Sequence, residues 1–186
     1  GPQGLSRSGN DSLYSARGLG VAKKSLRPGG VLVASGAGTL TIGKGTGAAA
    51  GSLTAGGTSA NTLGDLVFIN NSTSDIIVNA AILSNNGGVV GTTGISPVVY
   101  DGRSTGKLIL AGANTFGVDT TVAVTTIYVN KGILEVPSVN NANQAGPLGQ
   151  VAAGASNILL NGGTFRANLT ADGATDHGFT VNGPST

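Results

Sequence analysis

The side chains with the clearest chemical potential in this chain are one histidine and the acidic residue before it. His177 is the only histidine among 186 residues, and Asp176 directly precedes it. An Asp-His pair can act as a general base. The sequence places no Ser, Lys or Glu beside the pair, and TDHGF has the character of a turn that enters a strand. We therefore expect His177 to be a solvent-facing turn residue and the chain to have no catalytic residues.

Metal and cofactor sites are also not expected. Asp172 and Asp176 could share a calcium ion, but the glycine-rich nonapeptide calcium repeat is missing. The segment GTLTIGK (38–44) is similar to a phosphate-binding loop. Gly45, however, stands where Ser or Thr would contact magnesium, and no helix is predicted to follow. A chain without cysteine cannot hold a thiolate-bound metal or a disulfide.

The composition favours a structural protein over an enzyme that cleaves polysaccharides. Charged residues make up 10% of the chain, against roughly 25% in typical soluble domains. Glycoside cleavage needs paired carboxylates, and the eight acidic residues are scattered along the chain. A polysaccharide-acting enzyme is therefore the weaker alternative. The hydrophobic fraction of 39% and the net charge of +2 are compatible with a folded core.

Positive charge is concentrated at the N-terminus, where residues 1–30 carry five basic residues and one acidic residue. We predict a basic N-terminal arm or cap over 1–30, with a short capped helix allowed at 11–27, and a body over 31–186. Binding of nucleic acid would need aromatic platforms or a basic face on the body, and neither is evident. We expect no nucleic-acid partner.

The body consists of short β-strand signals, rich in β-branched residues and separated by Gly, Asn, Asp or Pro. Leu108, Ile133 and Ile158 each lie in such a segment and follow one another at intervals of 25 residues. Strands at a regular period of 20–30 residues predict a solenoid of stacked coils. The predicted strands are 31–34, 39–42, 65–70, 75–83, 98–100, 107–110, 120–124, 127–130, 133–136, 157–160, 164–167 and 179–181.

Alternation along these segments predicts which side chains face the core. The predicted outward residues are Lys107, Glu135 and Arg166. The predicted inward residues are Leu108, Leu110, Leu134, Val136, Phe165, Phe179 and Val181.

An antiparallel β-sandwich is the alternative architecture. Two-residue hairpin signals are few, with Asn86-Gly87 and Asn161-Gly162 the best of them. The turns instead repeat asparagine, whose side-chain amides can form ladders between stacked parallel coils. The candidates for such a ladder are Asn114, Asn130, Asn161 and Asn182.

The segment GKLILAGANTFGVDTTVAVTTIYVNKGILEV (106–136) resembles the passenger-associated, or autotransporter-associated, β-strand repeat of bacterial surface proteins. The likeness extends through 148–168 and 175–183, and 64–87 is similar to the preceding coils of such proteins. It departs at residues 1–30 and at GVDTT (117–121). The resemblance implies an all-β, right-handed parallel β-helix at a bacterial cell surface. Membrane attachment is then expected only through a C-terminal barrel or anchor, which we do not expect within these 186 residues.

The sequence thus predicts an extracellular structural or adhesive β-solenoid module, with no enzymatic activity. Such a module could be a self-assembling filament subunit joined end to end, or a stalk segment of an autotransporter passenger. The expected partners are further copies of the chain or a host or matrix surface. For assembly we predict a role for apolar residues of the arm and of the last strand: Leu13, Tyr14, Leu19, Val21, Leu26, Phe179 and Val181.

Overall fold

The computed structural model describes residues 25–26, 29–43, 51–55, 64–84, 97–117 and 124–184, and this part of the chain is all-β. It contains no helix, and so none that could cross a membrane. The strands are β1 (Ser25–Leu26), β2 (Gly30–Val33), β3 (Leu40–Ile42), β4 (Ser52–Leu53), β5 (Leu66–Asn70), β6 (Ile76–Val78), β7 (Ala81–Ile82), β8 (Val98–Gly102), β9 (Leu108–Leu110), β10 (Ile127–Lys131), β11 (Ile133–Val136), β12 (Ile158–Leu160), β13 (Thr164–Ala167) and β14 (Phe179–Val181).

These strands form three parallel sheets. Successive described strands belong to the three sheets in rotation from β1 to β9, and alternate between the two larger sheets from β9 to β14. The six-stranded sheet has the order β14-β12-β10-β8-β5-β2, the five-stranded sheet β13-β11-β9-β6-β3, and the three-stranded sheet β1-β4-β7. Every pairing between the described strands is parallel. The antiparallel sandwich is therefore wrong, and the arrangement is consistent with a β-helix.

The spacing of 25 residues between Leu108, Ile133 and Ile158 does not mark successive coils of one sheet. Ile133 lies in the five-stranded sheet, whereas Ile158 lies in the six-stranded sheet and pairs with Ile127. The residue numbers of paired residues differ by 21 for Leu160 and Val181 and by 37 for Val31 and Phe68. Coils can differ in length because only the strands must stay in register, whereas the connections between them can lengthen freely.

The core is built of rows of apolar side chains that run from coil to coil. One row in the six-stranded sheet passes through Phe68, Tyr100, Val129 and Leu160. The predicted inward residues Leu108, Leu110, Leu134 and Val136 are fully buried, which confirms their orientation. Burying each large apolar side chain stabilises the fold by roughly 1.5–3 kcal/mol.

Most predicted strands are present, with three differences. The segment 75–83 forms two strands, β6 and β7, because the chain bends at Asn79–Ala80. The two-residue strands β1 and β4 were not predicted, since two residues show no alternation. The predicted strand 120–124 lies outside the described residues apart from residue 124, which is not in a strand.

Two glycines turn the chain from one sheet to the next. Gly132 joins β10 to β11 with φ 83°, and Gly162 follows β12 with φ 106°. Residues with a Cβ atom rarely adopt such positive φ angles. At Gly132 an added Cβ would also lie 2.8 Å from the Cα atom of Gly102, one coil away. Stacked coils can therefore approach closely at this corner only if glycine occupies it.

Most of the predicted arm, and most of the predicted helix at 11–27, lie outside the described residues. Ser25 and Leu26, which are described, belong to β1 and pair with Ser52 and Leu53 of β4. The end of the predicted helix is therefore a strand.

Candidate functional sites

A cluster of charged side chains lies on the outward face of the five-stranded sheet. The Lys107 ammonium is 3.1 Å from Oε2 of Glu135 and 3.6 Å from Oδ2 of Asp75. Nε of Arg166 donates to the same Glu135 oxygen at 2.6 Å, and Nη2 of Arg166 also contacts it. Four consecutive coils contribute to the cluster. Asp75 directly precedes β6, Lys107 directly precedes β9, and Glu135 and Arg166 lie in β11 and β13. The cluster therefore ties neighbouring coils together.

Glu135 lies on the outward face as predicted, but it is only 5% exposed. Burial raises the pKa of this carboxyl group. Hydrogen bonds from Arg166 and Lys107 and the charges of both residues outweigh that effect, so the pKa of Glu135 is lowered overall. Alternation in β11 could identify the face of Glu135, but only the packing of the long side chains around it explains its burial.

The expectation that His177 is a solvent-facing turn residue is wrong. Its side chain is 3% exposed, because the segment before β14 folds against the loop that follows β11. Within the part of the chain that the structure describes, no hydrogen bond joins the Asp176 carboxylate to the imidazole. Its Oδ1 instead accepts from the backbone N–H of Ala142 at 2.6 Å. The arrangement is a contact between two loops. The Asp176 carboxylate does not orient the His177 ring as the acid of a general-base pair would.

Asn140 is the centre of this loop contact, and no pattern in the sequence indicated this role. Its Oδ1 accepts from the backbone N–H of Leu148 at 3.0 Å. Its Nδ2 lies 3.4 Å from Nε2 of His177, and its backbone carbonyl accepts from Oγ1 of Thr175 at 2.8 Å. The same Nδ2 lies within hydrogen-bond distance of three backbone carbonyls, those of Asn141, Gln144 and Gly149, which share its two hydrogens.

Asn114 and Asn157 are buried and hold loops to strands in a similar way. Asn114 accepts from the N–H of Ile82 at 2.8 Å and donates to the carbonyl of Pro147 at 3.1 Å. Asn157 donates to the carbonyls of Val124 and Ala152. An amide side chain offers both donors and an acceptor, so it can satisfy backbone groups that irregular loops leave unpaired.

The predicted asparagine ladder is present at three of its four positions. Nδ2 of Asn161 donates to Oδ1 of Asn130 at 3.0 Å, and Nδ2 of Asn182 donates to Oδ1 of Asn161 at 3.3 Å. The fourth predicted member, Asn114, is not in the ladder, because it is buried in the loop contact with Ile82 and Pro147. The side-chain hydrogen bonds of the ladder follow the same order as the parallel backbone pairing of β10, β12 and β14.

Of the predicted assembly residues, the structure brings Phe179 and Val181 together on β14. They pair with Ile158 and Leu160, so they continue inward-facing rows, yet their exposed fractions are 38% and 56%. The ring of Phe179 packs against that of Phe165 with centroids 5.0 Å apart. Leu13, Tyr14, Leu19 and Val21 lie outside the described residues, and only the backbone of Leu26 is described.

Among the described residues, no group of three or more histidine, cysteine or acidic side chains is arranged to hold a metal ion. The pair Asp172 and Asp176, considered for calcium, is not part of such a group.

Comparison with known proteins relates part of the chain to a bacterial adhesin. No family model matches the chain, and no solved structure matches it. A stretch of 102 residues, 54% of the chain, is 36% identical to the adhesin BmaC autotransporter of Brucella suis biovar 1 (strain 1330). The chain spans about 2% of the length of that relative. The similarity is thus to a small part of a much longer autotransporter.

Proposed function

We propose that this chain is a structural module of a bacterial surface protein, a right-handed β-solenoid that forms part of an extracellular stalk and carries no enzymatic activity. The observation that carries the proposal is the stacking of β2, β5, β8, β10, β12 and β14 in one parallel sheet with continuous apolar rows. Coils stacked in this way extend a rod by one strand spacing, about 4.8 Å, per coil. The partial similarity to an adhesin supports a location at the cell surface.

Antibody labelling of intact cells of the source organism tests the location and the stalk together. We expect an antibody against this module to label unpermeabilised cells, and protease treatment of those cells to remove the label. Labelling only after permeabilisation would contradict the proposal.

An adhesive role for the module itself is a separate part of the proposal. Beads coated with the folded chain should bind to host or matrix surfaces more strongly than beads coated with Leu134→Asp, which we expect to be unfolded. Equal binding by the two preparations would leave the module as a stalk without adhesive capacity of its own.

Self-assembly into filaments is a second candidate, favoured by the exposure of Phe179 and Val181 in rows that are buried elsewhere. A further coil could cover these side chains and pair with β14, and a second copy of the chain or a following part of a longer chain could supply it. Sedimentation of the purified chain at high micromolar concentration distinguishes the two. Oligomers that Val181→Lys dissociates would support assembly, whereas a monomer would exclude it.

A further inference from the structure

We propose that the contact between His177 and Asn140 is a pH-sensitive latch, which at neutral pH holds the segment before β14 against the loop 140–149 and opens when His177 is protonated. Opening would release β14 from the end of the six-stranded sheet. The latch does not depend on whether the chain is a stalk or a filament subunit.

The first observation is that the Asn140 amide cannot reverse its orientation. Its Oδ1 is required by the N–H of Leu148, while its Nδ2 is required by backbone carbonyls of the same loop. A reversed amide would place its oxygen against those carbonyls and its NH2 group against the Leu148 N–H. The carbonyls belong to Asn141, Gln144 and Gly149, at 2.8–3.1 Å. The hydrogen-bond network thus assigns the nitrogen to the side that faces His177.

The second observation concerns the imidazole. Nδ2 of Asn140 lies 3.4 Å from Nε2 of His177 and offers only donor hydrogens, so no acceptor faces Nε2. Nδ1 is itself buried without a hydrogen-bond partner. Protonation would place an N–H on Nε2, directly against the fixed Asn140 donor, and would create a buried cation with no acceptor at either nitrogen. The folded arrangement therefore accommodates only the neutral ring.

The charged surroundings do not compensate for this cost. Burial lowers the pKa of His177, and the nearby Asp176 carboxylate opposes the shift without cancelling it. Asp176 precedes His177 in the chain and is exposed, and its Oδ1 is already engaged by the Ala142 N–H. From the loop 140–149, which packs against the ring, no charged side chain faces it, since this stretch contains no acidic or basic residue.

The direction of the pH effect follows from the lowered pKa. Above the unfolded value of 6.5 the latch contributes its full stability, and this contribution is lost as the pH falls through the pKa of the folded state. Between the two values, the equilibrium constant for opening rises up to tenfold per pH unit.

Release of His177 would reach β14 through the next residue. The N–H of Gly178 donates to the carbonyl of Gly154 at 2.9 Å, and the Gly178 carbonyl accepts from the N–H of Ile158 at 3.0 Å. These bonds start the pairing of β14 with β12. Loss of the latch should therefore weaken the pairing of β14 with β12, while the strands in the centre of the sheet stay paired.

Nuclear magnetic resonance of the intact chain tests the proposal directly, because His177 is the only histidine. We expect a midpoint of titration below the ordinary value of 6.5. Protection of the Gly178 and Ile158 amides against hydrogen exchange should fall by up to tenfold per pH unit as the ring titrates. Protection of the Val98 amide, which bonds to Thr126 in the centre of the same sheet, should not change over that range.

His177→Gln provides the matched variant, because its side chain is polar and does not titrate. We expect it to abolish the pH dependence of protection at Gly178, while the control Glu135→Gln retains it. A midpoint at or above 6.5, or unchanged protection at Gly178 through the titration, would each overturn the proposal. The wild-type titration decides the matter even if His177→Gln fails to fold.

Discussion

Leu134 and Glu135 are consecutive residues of β11 that face opposite sides of the five-stranded sheet, and both are buried, with exposed fractions of 0% and 5%. Leu134 packs in the row between Leu108 and Phe165. Glu135 lies under Lys107 and Arg166 on the other side. Leu134 is thus buried among apolar side chains and Glu135 among charged ones, so substitutions at the two positions should have different consequences.

Leu134→Asp should unfold the chain. The carboxylate would replace an apolar side chain in the interior, where no cation is available to pair with it, at a cost of several kcal/mol. Circular dichroism during thermal melting measures the effect. Leu134→Met, which conserves volume, is the control and should cost less than about 1.5 kcal/mol. A melt of Leu134→Asp similar to that of the wild type would contradict the register of β11.

Glu135→Lys should destabilise the fold, although a purely outward residue would tolerate the change. It would place a third cation beside Lys107 and Arg166 and leave both without their shared partner. We expect a loss of about 1–3 kcal/mol, below that of a fully buried pair because the Arg166 side chain is about half exposed. Urea unfolding measures the loss, and Arg103→Glu on an exposed ion pair serves as a control with a small effect.

The Glu135 cluster should also make stability depend on pH in the acid range. The folded-state pKa lies below the ordinary value of 4.5, so the contribution of the cluster is present above pH 4.5 and disappears as the pH falls through the folded-state pKa. Unfolding free energies of the wild type and Glu135→Gln, measured from pH 6 to pH 2, should converge at the acid end. A constant difference over the whole range would exclude this role of Glu135.

Tyr100 should make the chain sensitive to alkali. Its buried hydroxyl donates to the carbonyl of Gly106 at 2.8 Å, and burial raises the pKa of Tyr100 to about 12. The neutral form is favoured in the folded state, so its contribution is present below pH 10 and is lost between pH 10 and pH 12. The absorbance difference between wild type and Tyr100→Phe isolates this titration from those of the other tyrosines. Release of the Tyr100 proton near pH 10, while the protein is still folded, would contradict the buried hydrogen bond.

Interruption of the asparagine ladder should weaken the last coils. Asn161→Asp keeps an acceptor for Asn182 but removes the donor to Asn130 and places two oxygens in contact. We expect a loss of about 1 kcal/mol, since the ladder is exposed to water. Thermal melting of Asn161→Asp and of the neutral variant Asn161→Ala measures it. A more stable Asn161→Asp than Asn161→Ala would show that the donor to Asn130 contributes nothing.

The sequence by itself determined the class of structure and much of the core, because both depend on local patterns. Alternation of apolar and polar residues has a period of two in any strand, so Leu108, Leu110, Leu134 and Val136 could be assigned to the interior without knowledge of their neighbours. The repeated asparagines likewise indicated parallel stacking, since identical amides can pair only between strands in register.

Only the tertiary structure decided which strands are neighbours and which polar residues are buried. Coil length varies with the connections, so the spacing from Ile133 to Ile158 matched the predicted period by coincidence, although the two residues lie in different sheets. The burial of Glu135 and His177 depends on side chains and loops at least 28 residues away in the chain. A local pattern contains no information about such contacts, because they form only when distant coils stack against one another.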